Sequence, residues 1–414
     1  MALAPQCRKC TATAYNEMFG RPRVGVARDR DVALAVQRAL DALGGIRKFV
    51  KTGYKVLIKP NIAYNRPSPI TTNKEVIATL VDFCYEAGAG DVQVGDSAAY
   101  PTKHVYGRTT EDAFEGSGIA KIVVEKGACL ANFDKHEFVE MAVPNGRVLR
   151  TLKVAKSLVD VDIVINVPVL KTHHMTTVSL AMKNLQGVLS DEYKVIAHRD
   201  DLHWKLVDLV KAVKPKLTII DGTRGMEGYG PALGTGVDLD LLIAGENTVA
   251  CDAIGCLLMD IKPVCVEHLM LAAKEGLGPI KADQIDLASD FEIETLKRRF
   301  KRPEESFAEE FSEVDSIAIR KGGVCAVCNS IVQNAVIAVK RKGHIDKVGE
   351  VDILVGVNPP RSGKSSEGKM TYVVGDCACK SVSIAGKKVR HISGCPPFFF
   401  LTELRKLAEG ERLT

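Results

Sequence analysis

The chain has no long apolar run and little net charge, and each lack argues against a class of protein. The longest purely apolar stretches, such as FFFL at residues 398–401, are far too short to cross a bilayer. A formal net charge of +5 over 414 residues is too small to indicate nucleic acid or a membrane as a partner. The N-terminus lacks an apolar segment after its basic residues, so we expect no secretory signal and a cytoplasmic location.

Two common phosphate-binding loops are also missing. The sequence contains no GxxxxGK[ST], and it contains no GxGxxG between a predicted strand and a helix. The glycines of GTRGMEGYG, residues 222–230, depart from the dinucleotide spacing. We therefore expect neither tightly bound NAD nor ATP. Flavin remains an alternative, because flavodoxin-like modules bind FMN through loops with weak signatures.

Cysteine, by contrast, is plentiful. Twelve cysteines in a large chain without a secretory signal argue for thiolate chemistry or metal rather than a disulfide scaffold. Cys325 and Cys328 form a CxxC between a glycine turn and a predicted helix. Cys377 follows the predicted strand KMTYVVGD, and Cys395 lies in ISGCPP after the strand-like KKVRHIS. This pattern places four thiolates at one edge of a sheet, where parallel sheets bind ligands.

Four thiolates at such an edge suit an iron–sulfur cluster or a zinc ion, and inert buried thiols are the alternative without metal. Zinc ribbons usually pair two CxxC knuckles, whereas this sequence has CxxC, CxC and a lone cysteine. The cluster is therefore the favoured prediction. A second CxxC, Cys7 and Cys10, binds metal across a dimer or contributes nothing.

The ordered motifs CAVC, GDCA and GCPP resemble the small subunit of nickel–iron hydrogenases and its relative in respiratory complex I. The resemblance covers roughly the last hundred residues. It implies a [4Fe–4S] cluster on a flavodoxin-like sheet, with Cys325, Cys328, Cys377 and Cys395 as ligands. Cys379 departs from the family pattern, and as a nearby thiol it could compete with Cys377.

Short apolar runs alternate with amphipathic segments of helix length along the first three hundred residues. Such runs predict buried, mostly parallel strands, and the alternation predicts an α/β fold with helices on both sheet faces. The clearest runs are residues 55–60, 91–96, 161–168, 216–221 and 239–245. We predict a flexible tail (1–20), a two-lobed α/β domain (21–291), a charged, solvated helical linker (292–313) and a flavodoxin-like cluster domain (314–414).

Polar side chains follow several of these predicted strands. Lys59 and Asn61 follow the first run, and Asp221 ends a later one. Lys171, His173 and His174 come after Pro168, which predicts a loop for KTHH. Cationic groups at strand ends suggest an anionic substrate, and a histidine could act as a general acid.

Two segments extend this candidate site. TTVSLAMKNLQGVL reads as a helix with Thr176 or Thr177 near its cap, and its first amides could bind a carboxylate or phosphate. Lys183 and Asn184 lie on that helix. The glycine-rich segment after Asp221 predicts a mobile loop that carries Arg224 and Glu227.

Three motifs resemble the family known as domain of unknown function 362, sometimes described as iron–sulfur associated. They are IKPN (58–61), NVPVLKTHHMTTVSLAMKNLQGVL (166–189) and DGTRGMEGYGP (221–231), and the resemblance spans about residues 24–280. A more distant similarity is to the two-lobed lactate racemase fold. The usual family members carry ferredoxin-spaced cysteines, so the hydrogenase-like module here implies a different electron route.

These patterns give three functional hypotheses. The first is an oxidoreductase that passes electrons from a ferredoxin-like donor through the cluster to a small anionic substrate, which suits an anaerobe. Its predicted catalytic residues are His173, His174, Lys171 and Lys183. The second is a non-enzymatic electron-transfer or assembly protein, and the third is a racemase or isomerase with a structural cluster. A homodimer or a partner subunit stays open.

Overall fold

The structure is a computed structural model, and it describes residues 20–360, 369–384, 386 and 388–410. Cys7 and Cys10 lie outside the described residues. Among the helices of the described part, none is long and apolar enough to cross a bilayer.

The first three hundred residues build one large sheet and a separate hairpin. In chain order the strands are β1 (Arg23–Arg28), β2 (Lys55–Pro60), β3 (Asp91–Asp96), β4 (Cys129–Asn132), β5 (Phe138–Ala142), β6 (Thr151–Ala155), β7 (Ile163–Val167), β8 (Val169–His173), β9 (Thr177–Ser179), β10 (Leu217–Tyr229), β11 (Leu233–Gly245) and β12 (Asp286–Ser289). The main sheet runs in the order β12-β1-β11-β10-β7-β2-β3-β4. Off this path, β8 pairs with β10 and β9, while β5 and β6 form the hairpin.

All five apolar runs of the sequence lie in this sheet as strands. The pairings β10–β7, β7–β2, β2–β3 and β3–β4 are parallel, whereas β11 is antiparallel to both of its neighbours. The predicted mixed α/β fold with a mostly parallel sheet is confirmed. Because these strands are parallel, their carboxyl ends meet at one edge of the sheet.

Helices cover both faces of the main sheet, and each face has its own hydrophobic core. The helices are α1 (Val32–Asp41), α2 (Lys74–Glu86), α3 (Tyr100–His104), α4 (Thr110–Ser117), α5 (Ile119–Glu125), α6 (Ala181–Asn184), α7 (Asp191–Ala197), α8 (Leu202–Val213), α9 (Thr248–Leu258) and α10 (Glu267–Lys274). Helix α2 begins where the Asn73 side chain accepts a hydrogen bond from the amide of Glu75 at 3.0 Å.

The prediction that KTHH forms a loop is wrong. Pro168 does end β7, but the chain continues directly as β8, and every residue of β8 is buried. The reason lies in β10, which is 13 residues long and pairs in parallel first with β7 and then with β8. The proline at residue 168 predicted the end of β7, but it gave no indication that β10 is long enough to pair with a further strand.

The helix predicted after KTHH is also mostly wrong. Thr177 opens β9 with a φ of 65°, and only the four residues of α6 are α-helical, followed by a 3₁₀ turn. The first amides of α6 are not free for a ligand. The carboxylate of Asp252 accepts hydrogen bonds from the amides of Ala181 and Met182 at 2.6 and 3.0 Å.

The predicted mobile loop after Asp221 is a β-hairpin. Most of its residues belong to β10 and β11, which pair antiparallel from Gly225↔Val237 to Tyr229↔Leu233. Glycine is needed in this hairpin for close packing. An added Cβ at Gly230 would lie 2.1 Å from the carbonyl oxygen of Thr172, and one at Gly225 would lie 2.9 Å from that of Leu170. The glycines therefore reflect contact with β8 rather than mobility.

The C-terminal part forms a second, fully parallel sheet. Its strands are β13 (Ile317–Lys321), β14 (Val351–Val355), β15 (Met370–Val374) and β16 (Val389–Ile392), in the order β13-β14-β15-β16. This order equals the flavodoxin-like order 2-1-3-4-5 without its second strand. The remaining helices are α11 (Ile293–Leu296), α12 (Pro303–Phe311), α13 (Ala326–Arg341), α14 (Asp376–Ser381) and α15 (Phe400–Glu409).

The two sheets are joined by packed side chains. Leu202 and Leu206 of α8 belong to the core of the second sheet. Tyr229, at the end of β10, packs with Phe307 and Ile337, and its hydroxyl donates to the carbonyl oxygen of Ser330 at 3.1 Å. The charged segment 292–313 is partly helical, and Phe307 is buried in this contact, so that segment is not solvated throughout.

This junction gives a first prediction, on two buried tyrosines. Tyr229→Phe removes a hydroxyl that is hydrogen-bonded across the junction, so we expect the free energy of unfolding to fall by about 1 kcal/mol. Tyr372→Phe is the matched control, because the buried hydroxyl of Tyr372 has no hydrogen-bond partner among the described residues. This control should leave stability unchanged or raise it in urea unfolding. Equal losses in the two variants would contradict the assignment.

Candidate functional site

A cavity of about 160 Å³ lies between the carboxyl edge of the main sheet and the C-terminal unit. Six residues predicted from the sequence line it together: Asn61, Lys171, His173, His174, Lys183 and Asn184. We call this space the cationic cavity, after Lys171 and Lys183. The C-terminal unit closes it with Ile331 and Asn334 of α13 and with Phe398 and Leu401 around the start of α15.

Lys171 is almost fully buried in the middle of β8. Its ammonium donates to Asn61 Oδ1 at 2.6 Å and to the carbonyl oxygen of Ile70 at 2.8 Å. Burial, and then repulsion from Lys183, lowers the pKa of Lys171 to about 7. Near neutral pH this lysine is therefore poised between its charged and neutral forms.

Lys183 is the second buried base of the cavity. Burial lowers the pKa of Lys183 to about 7. Its ammonium contacts Gln186 Oε1, and it lies 3.3 Å from Nε2 of His198. Because an ammonium can only donate, the Gln186 amide must present its oxygen to Lys183 and turn its nitrogen elsewhere.

Lys171 and Lys183 differ from the other buried lysines of the described chain. Lys59, Lys194, Lys205 and Lys211 each lie within 4.0 Å of a carboxylate oxygen. Within the same described ranges, no carboxylate pairs with Lys171 or Lys183, whose hydrogen-bond partners are neutral. A buried cation without a counter-charge is costly, and this cost is the reason that the pKa values of both lysines are lowered.

Three histidines at the cavity have hydrogen bonds that fix their neutral tautomers. The amide of Met175 donates to Nδ1 of His173 at 3.0 Å, so neutral His173 carries its proton on Nε2. His174 and His198 donate from Nδ1 to the carbonyl oxygens of Gly230 and Lys194, at 2.6 and 2.7 Å. Their Nε2 atoms are therefore acceptors when neutral.

Burial keeps these rings uncharged. It lowers the pKa of His173 well below the usual range, and it lowers that of His174 to about 4 and that of His198 to about 3. Positive charge on Lys183 lowers all three further. An anion in the cavity would raise the pKa values of the imidazole and ammonium groups, which would move the histidines toward neutral pH and keep both lysines charged.

A chain of amides orients Lys171. Its contact with Asn61 Oδ1 forces Nδ2 of that residue to donate to Asn184 Oδ1, at 3.0 Å. Asn184 Nδ2 then donates to Asn166 Oδ1 at 2.8 Å, and Asn166 Nδ2 donates to the carbonyl oxygen of Ala181 at 3.0 Å. Each orientation follows from the one before it, so the lysine and three amides form one directed network.

The other predicted substrate residues do not line the cationic cavity. Lys59 is fully buried behind it and pairs with Asp96 at 2.9 Å. The Asp221 carboxylate accepts from the amides of Asn73 and Thr223, which holds a turn. The two residues of the predicted mobile loop lie elsewhere: Arg224 pairs with Asp238 at 3.2 Å, and Glu227 accepts from the amide of Lys301.

Several cavity residues were missed by sequence reasoning. Asp96 ends β3, which was a predicted strand, so the strand-end argument applied to Lys59 would also have found it. Lys194 and His198 are four residues apart, a helical spacing on a segment without another motif. Gln186 and Phe398 carry no local signal, because only the tertiary fold brings them to the cavity.

The four predicted cluster ligands also meet, and we call them the cysteine corner: Cys325, Cys328, Cys377 and Cys395. Cys325 is the residue before α13, Cys328 lies in its first turn, and Cys377 lies in α14. Cys395 lies in a loop. The amide of Gly394, the residue before it, donates a hydrogen bond to Asp376 Oδ1 at 2.6 Å. A Cβ added at Gly375 would lie 3.2 Å from the sulfur of Cys328, so these segments are in contact.

The thiols of the cysteine corner influence one another. A hydrogen bond from the Cys328 thiol and nearby backbone amides lower the pKa of Cys325 to about 5. That hydrogen bond, burial and the negative charge of the other three sulfurs raise the pKa of Cys328. Charge on one sulfur thus disfavours charge on its neighbours. Cys379 points elsewhere, because its thiol contacts the carbonyl oxygen of Val373.

In the part of the chain that the structure describes, no group of three or more His, Cys, Asp or Glu side chains is drawn together tightly enough to hold a metal ion. The prediction of a cluster therefore depends on which residues lie in the cysteine corner and on how their thiols influence one another. The cluster itself stays a prediction for these residues.

Helix α13 connects the cysteine corner with the cationic cavity. Cys328, Ile331 and Asn334 are spaced three residues apart, so they lie along one side of the helix within about 9 Å. A second connection runs through the GCPP loop. Arg199 Nε donates to the carbonyl oxygen of Cys395 at 2.9 Å, and Phe398, three residues later, lines the cavity.

Comparisons with known proteins find similarity over the N-terminal part of the chain. The chain is 29% identical over 263 residues to the thylakoid-associated protein sll1697 of Synechocystis sp., which covers 60% of this chain and 76% of that protein. The lactate racemase apoprotein of Thermoanaerobacterium thermosaccharolyticum is a structural neighbour with 12% identity and a TM-score of 0.39. This match covers 56% of this chain and only 57% of that one. Residues 56–257, which hold the lysines and histidines of the cavity, match the family described as "Domain of unknown function (DUF362)", as their motifs predicted.

Proposed function

We propose that this chain is an iron–sulfur oxidoreductase. It would pass single electrons from a ferredoxin-like donor, by way of a [4Fe–4S] cluster at the cysteine corner, to a small anionic substrate in the cationic cavity. The observation that carries this proposal is the shared helix. The first turn of α13 supplies Cys328, and its next turns supply Ile331 and Asn334 to the cavity wall.

The thiolates would hold the cluster, which when bound supplies one-electron chemistry. At least one thiolate ligand would be present before any metal binds. Backbone amides at the start of α13 lower the pKa of Cys325, so a thiolate ligand is available at neutral pH. Cys325 and Cys377 are exposed, which leaves this corner accessible to a protein electron donor.

Lys171 and Lys183 would bind the anionic group of the substrate. Both are buried without a carboxylate partner in the described chain, so a bound anion would take the place of the missing counter-charge. The amide network of Asn61, Asn184 and Asn166 holds Lys171 in position without neutralising it. The substrate would therefore be oriented by its charge.

Reduction of a substrate usually consumes protons as well as electrons. Lys171 and Lys183, with pKa values of about 7, can give up a proton near neutral pH. Burial lowers the pKa of His173 and keeps its ring neutral, so its Nε2–H, which has no other partner among the described residues, would orient the substrate through a hydrogen bond. His198 Nε2 accepts from Lys183 and holds that lysine in place.

A non-enzymatic electron-transfer or assembly protein is the second candidate, because the exposed cysteines Cys325 and Cys377 would also suit docking on a larger partner. Turnover of a small substrate by the purified chain with an artificial electron donor would favour the enzyme. An isomerase with a structural cluster would instead turn over substrate without any electron donor.

The cluster proposal predicts the composition of protein purified without oxygen. We expect about four irons and four sulfides per chain, and an EPR signal that appears on reduction with dithionite. Cys325→Ala and Cys395→Ala should each lose most of the iron and the signal. Cys379→Ala is the matched control and should keep both, because its thiol contacts the Val373 carbonyl oxygen instead. Zinc without sulfide in the unaltered protein would overturn the redox function.

The lowered pKa of Lys171 predicts how stability depends on pH. Between about pH 7 and 10.5 the unfolded chain keeps this proton while the folded chain has lost it, so folding stability rises with pH over this window. The gain is lost as pH falls from about 10.5 to about 7, and below pH 7 both states hold the proton, so this lysine no longer makes stability depend on pH. Replacing Lys171 with the uncharged Met, which is similar in size, should reduce this rise in urea unfolding measured across the window, and Lys183 should supply part of the remainder.

An exposed lysine provides the control for this pH dependence. Lys281→Met removes a lysine at the surface, where no burial cost arises, and should leave the slope of stability against pH unchanged. If Lys171→Met kept the full slope as well, Lys171 would not be the poised base of the cavity. Addition of acetate should lessen the low-pH loss in the unaltered protein, because an anion favours the charged lysine.

A further inference from the structure

We infer that the cationic cavity binds an organic carboxylate with an apolar, preferably aromatic, body. The inference rests on the proposed function for the site and adds the chemical class of the ligand. It depends on two features of the cavity lining: a set of unused hydrogen-bond donors and a group of apolar and aromatic side chains.

The polar part of the lining offers donors and few acceptors. The Lys171 ammonium has three protons, and two are taken by Asn61 Oδ1 and the Ile70 carbonyl oxygen. The Lys183 ammonium likewise has two partners, Gln186 and His198. In the described chain each lysine thus retains one proton for a ligand, and the His173 Nε2–H adds a third donor.

The side chain of Gln186 is a second observation, independent of the two lysines, that favours a ligand in this cavity. Its side-chain nitrogen is buried and has no hydrogen-bond partner among the described residues, although the residue is only 6% exposed. Its oxygen is held by Lys183, so the amide cannot turn round to satisfy the nitrogen. An unpaired buried donor costs free energy, and a ligand oxygen in the cavity would remove that cost.

The carboxylate of Asp96 does not compete for these donors. One oxygen accepts from Lys59 and from the amide of Ser97, both at 2.9 Å, and the other accepts from the amide of Ile62 at 2.9 Å. With Asp96 neutralised by Lys59, the positive charge of Lys171 and Lys183 is left without a counter-ion. The acceptor that fits is therefore an anion from outside the protein.

The cavity lining also has an apolar part. It includes Tyr64, Tyr100, Val105, Ile331, Phe398 and Leu401. Tyr100 and Phe398 pack together with ring centroids 5.4 Å apart, which joins the N-terminal part of this apolar wall to the C-terminal part. Such a surface would gain nothing from a fully hydrated inorganic anion, but it would stabilise the hydrocarbon part of an organic one.

A carboxylate fits the donors better than a phosphoryl group does. Phosphates are commonly held by free backbone amides at the start of a helix. The helix that carries Lys183, α6, has its first amides already bonded to the Asp252 carboxylate. The remaining donors are a few side chains near two lysines that are only partly charged at neutral pH, which suits a monoanion.

The test is calorimetric binding near neutral pH to protein purified without oxygen, with four probes: benzoate, acetate, benzyl alcohol and phenyl phosphate. Benzoate should bind at least about tenfold more tightly than acetate, because its ring contacts the apolar wall. It should exceed benzyl alcohol by a similar factor, because the alcohol lacks the charge. Benzyl alcohol or phenyl phosphate binding as tightly as benzoate would overturn the inference.

Variants test the apolar side chains and the charged side chains of the cavity separately. Leu401→Ala should weaken benzoate by about tenfold and leave acetate within about twofold, and Val105→Ala provides a second test of the wall in case the first variant folds poorly. Lys171→Met should weaken both carboxylates. A Leu401→Ala variant that weakens acetate as much as benzoate would refute the placement of the ring.

Iron and sulfide analysis of the same samples separates this inference from the proposed function. Benzoate binding in protein that lacks iron and sulfide would support the carboxylate site and remove the redox function. A complete cluster with no preference for benzoate over acetate would overturn the carboxylate inference and leave the redox proposal standing.

Discussion

The buried ion pair between Lys59 and Asp96 is the contact on which the site depends. It joins the ends of β2 and β3, and the Asp96 carboxylate also fixes the turns after both strands through the amides of Ile62 and Ser97. Gly187 packs directly against the pair, since a Cβ there would lie 2.0 Å from Asp96 Oδ1. This close approach brings the segment with Lys183 over the strand ends. Breaking such a pair by removing one partner typically costs about 3–5 kcal/mol, so its role is to hold the floor of the cavity.

The other polar groups of the site are oriented by a series of hydrogen bonds that begins next to this ion pair. Asn184 reaches the carbonyl oxygen of Pro60 at 3.2 Å, binds Asn61 on one side and Asn166 on the other, and so aligns the amide that holds Lys171. Asp252 contributes from the opposite side, because it binds the first amides of α6 and fixes the short helix that carries Lys183 and Asn184. Both cavity lysines are thus positioned by neighbours that do not neutralise them.

The sequence was a good guide to the strands and a poor one to the segments between them. Strands such as β2 and β7 were predictable because parallel strands buried on both faces must be continuously apolar. KTHH and the glycine-rich hairpin were misread because both pair with β10, whose 13-residue length no local pattern reveals. Of the site residues, Lys171 and His173 follow a strand-end rule, whereas Lys194, His198 and Phe398 reach the cavity from separate elements. Tertiary packing brings these three residues to the cavity, and a single sequence does not show which distant residues will pack together.

Burial alone does not distinguish the lysines of the proposed site from the other buried lysines. Lys59 lies near the end of β2 and Lys171 in the middle of β8, and both are almost fully buried. Burial lowers the pKa of each, but Lys59 has the carboxylate of Asp96 at 2.9 Å, whereas the partners of Lys171 are an amide and a carbonyl oxygen. Neutral acceptors orient an ammonium without offsetting the cost of burying its charge. An external anion would offset that cost. The proposal of an anion site therefore depends on the missing counter-charge of Lys171 and Lys183 rather than on their burial.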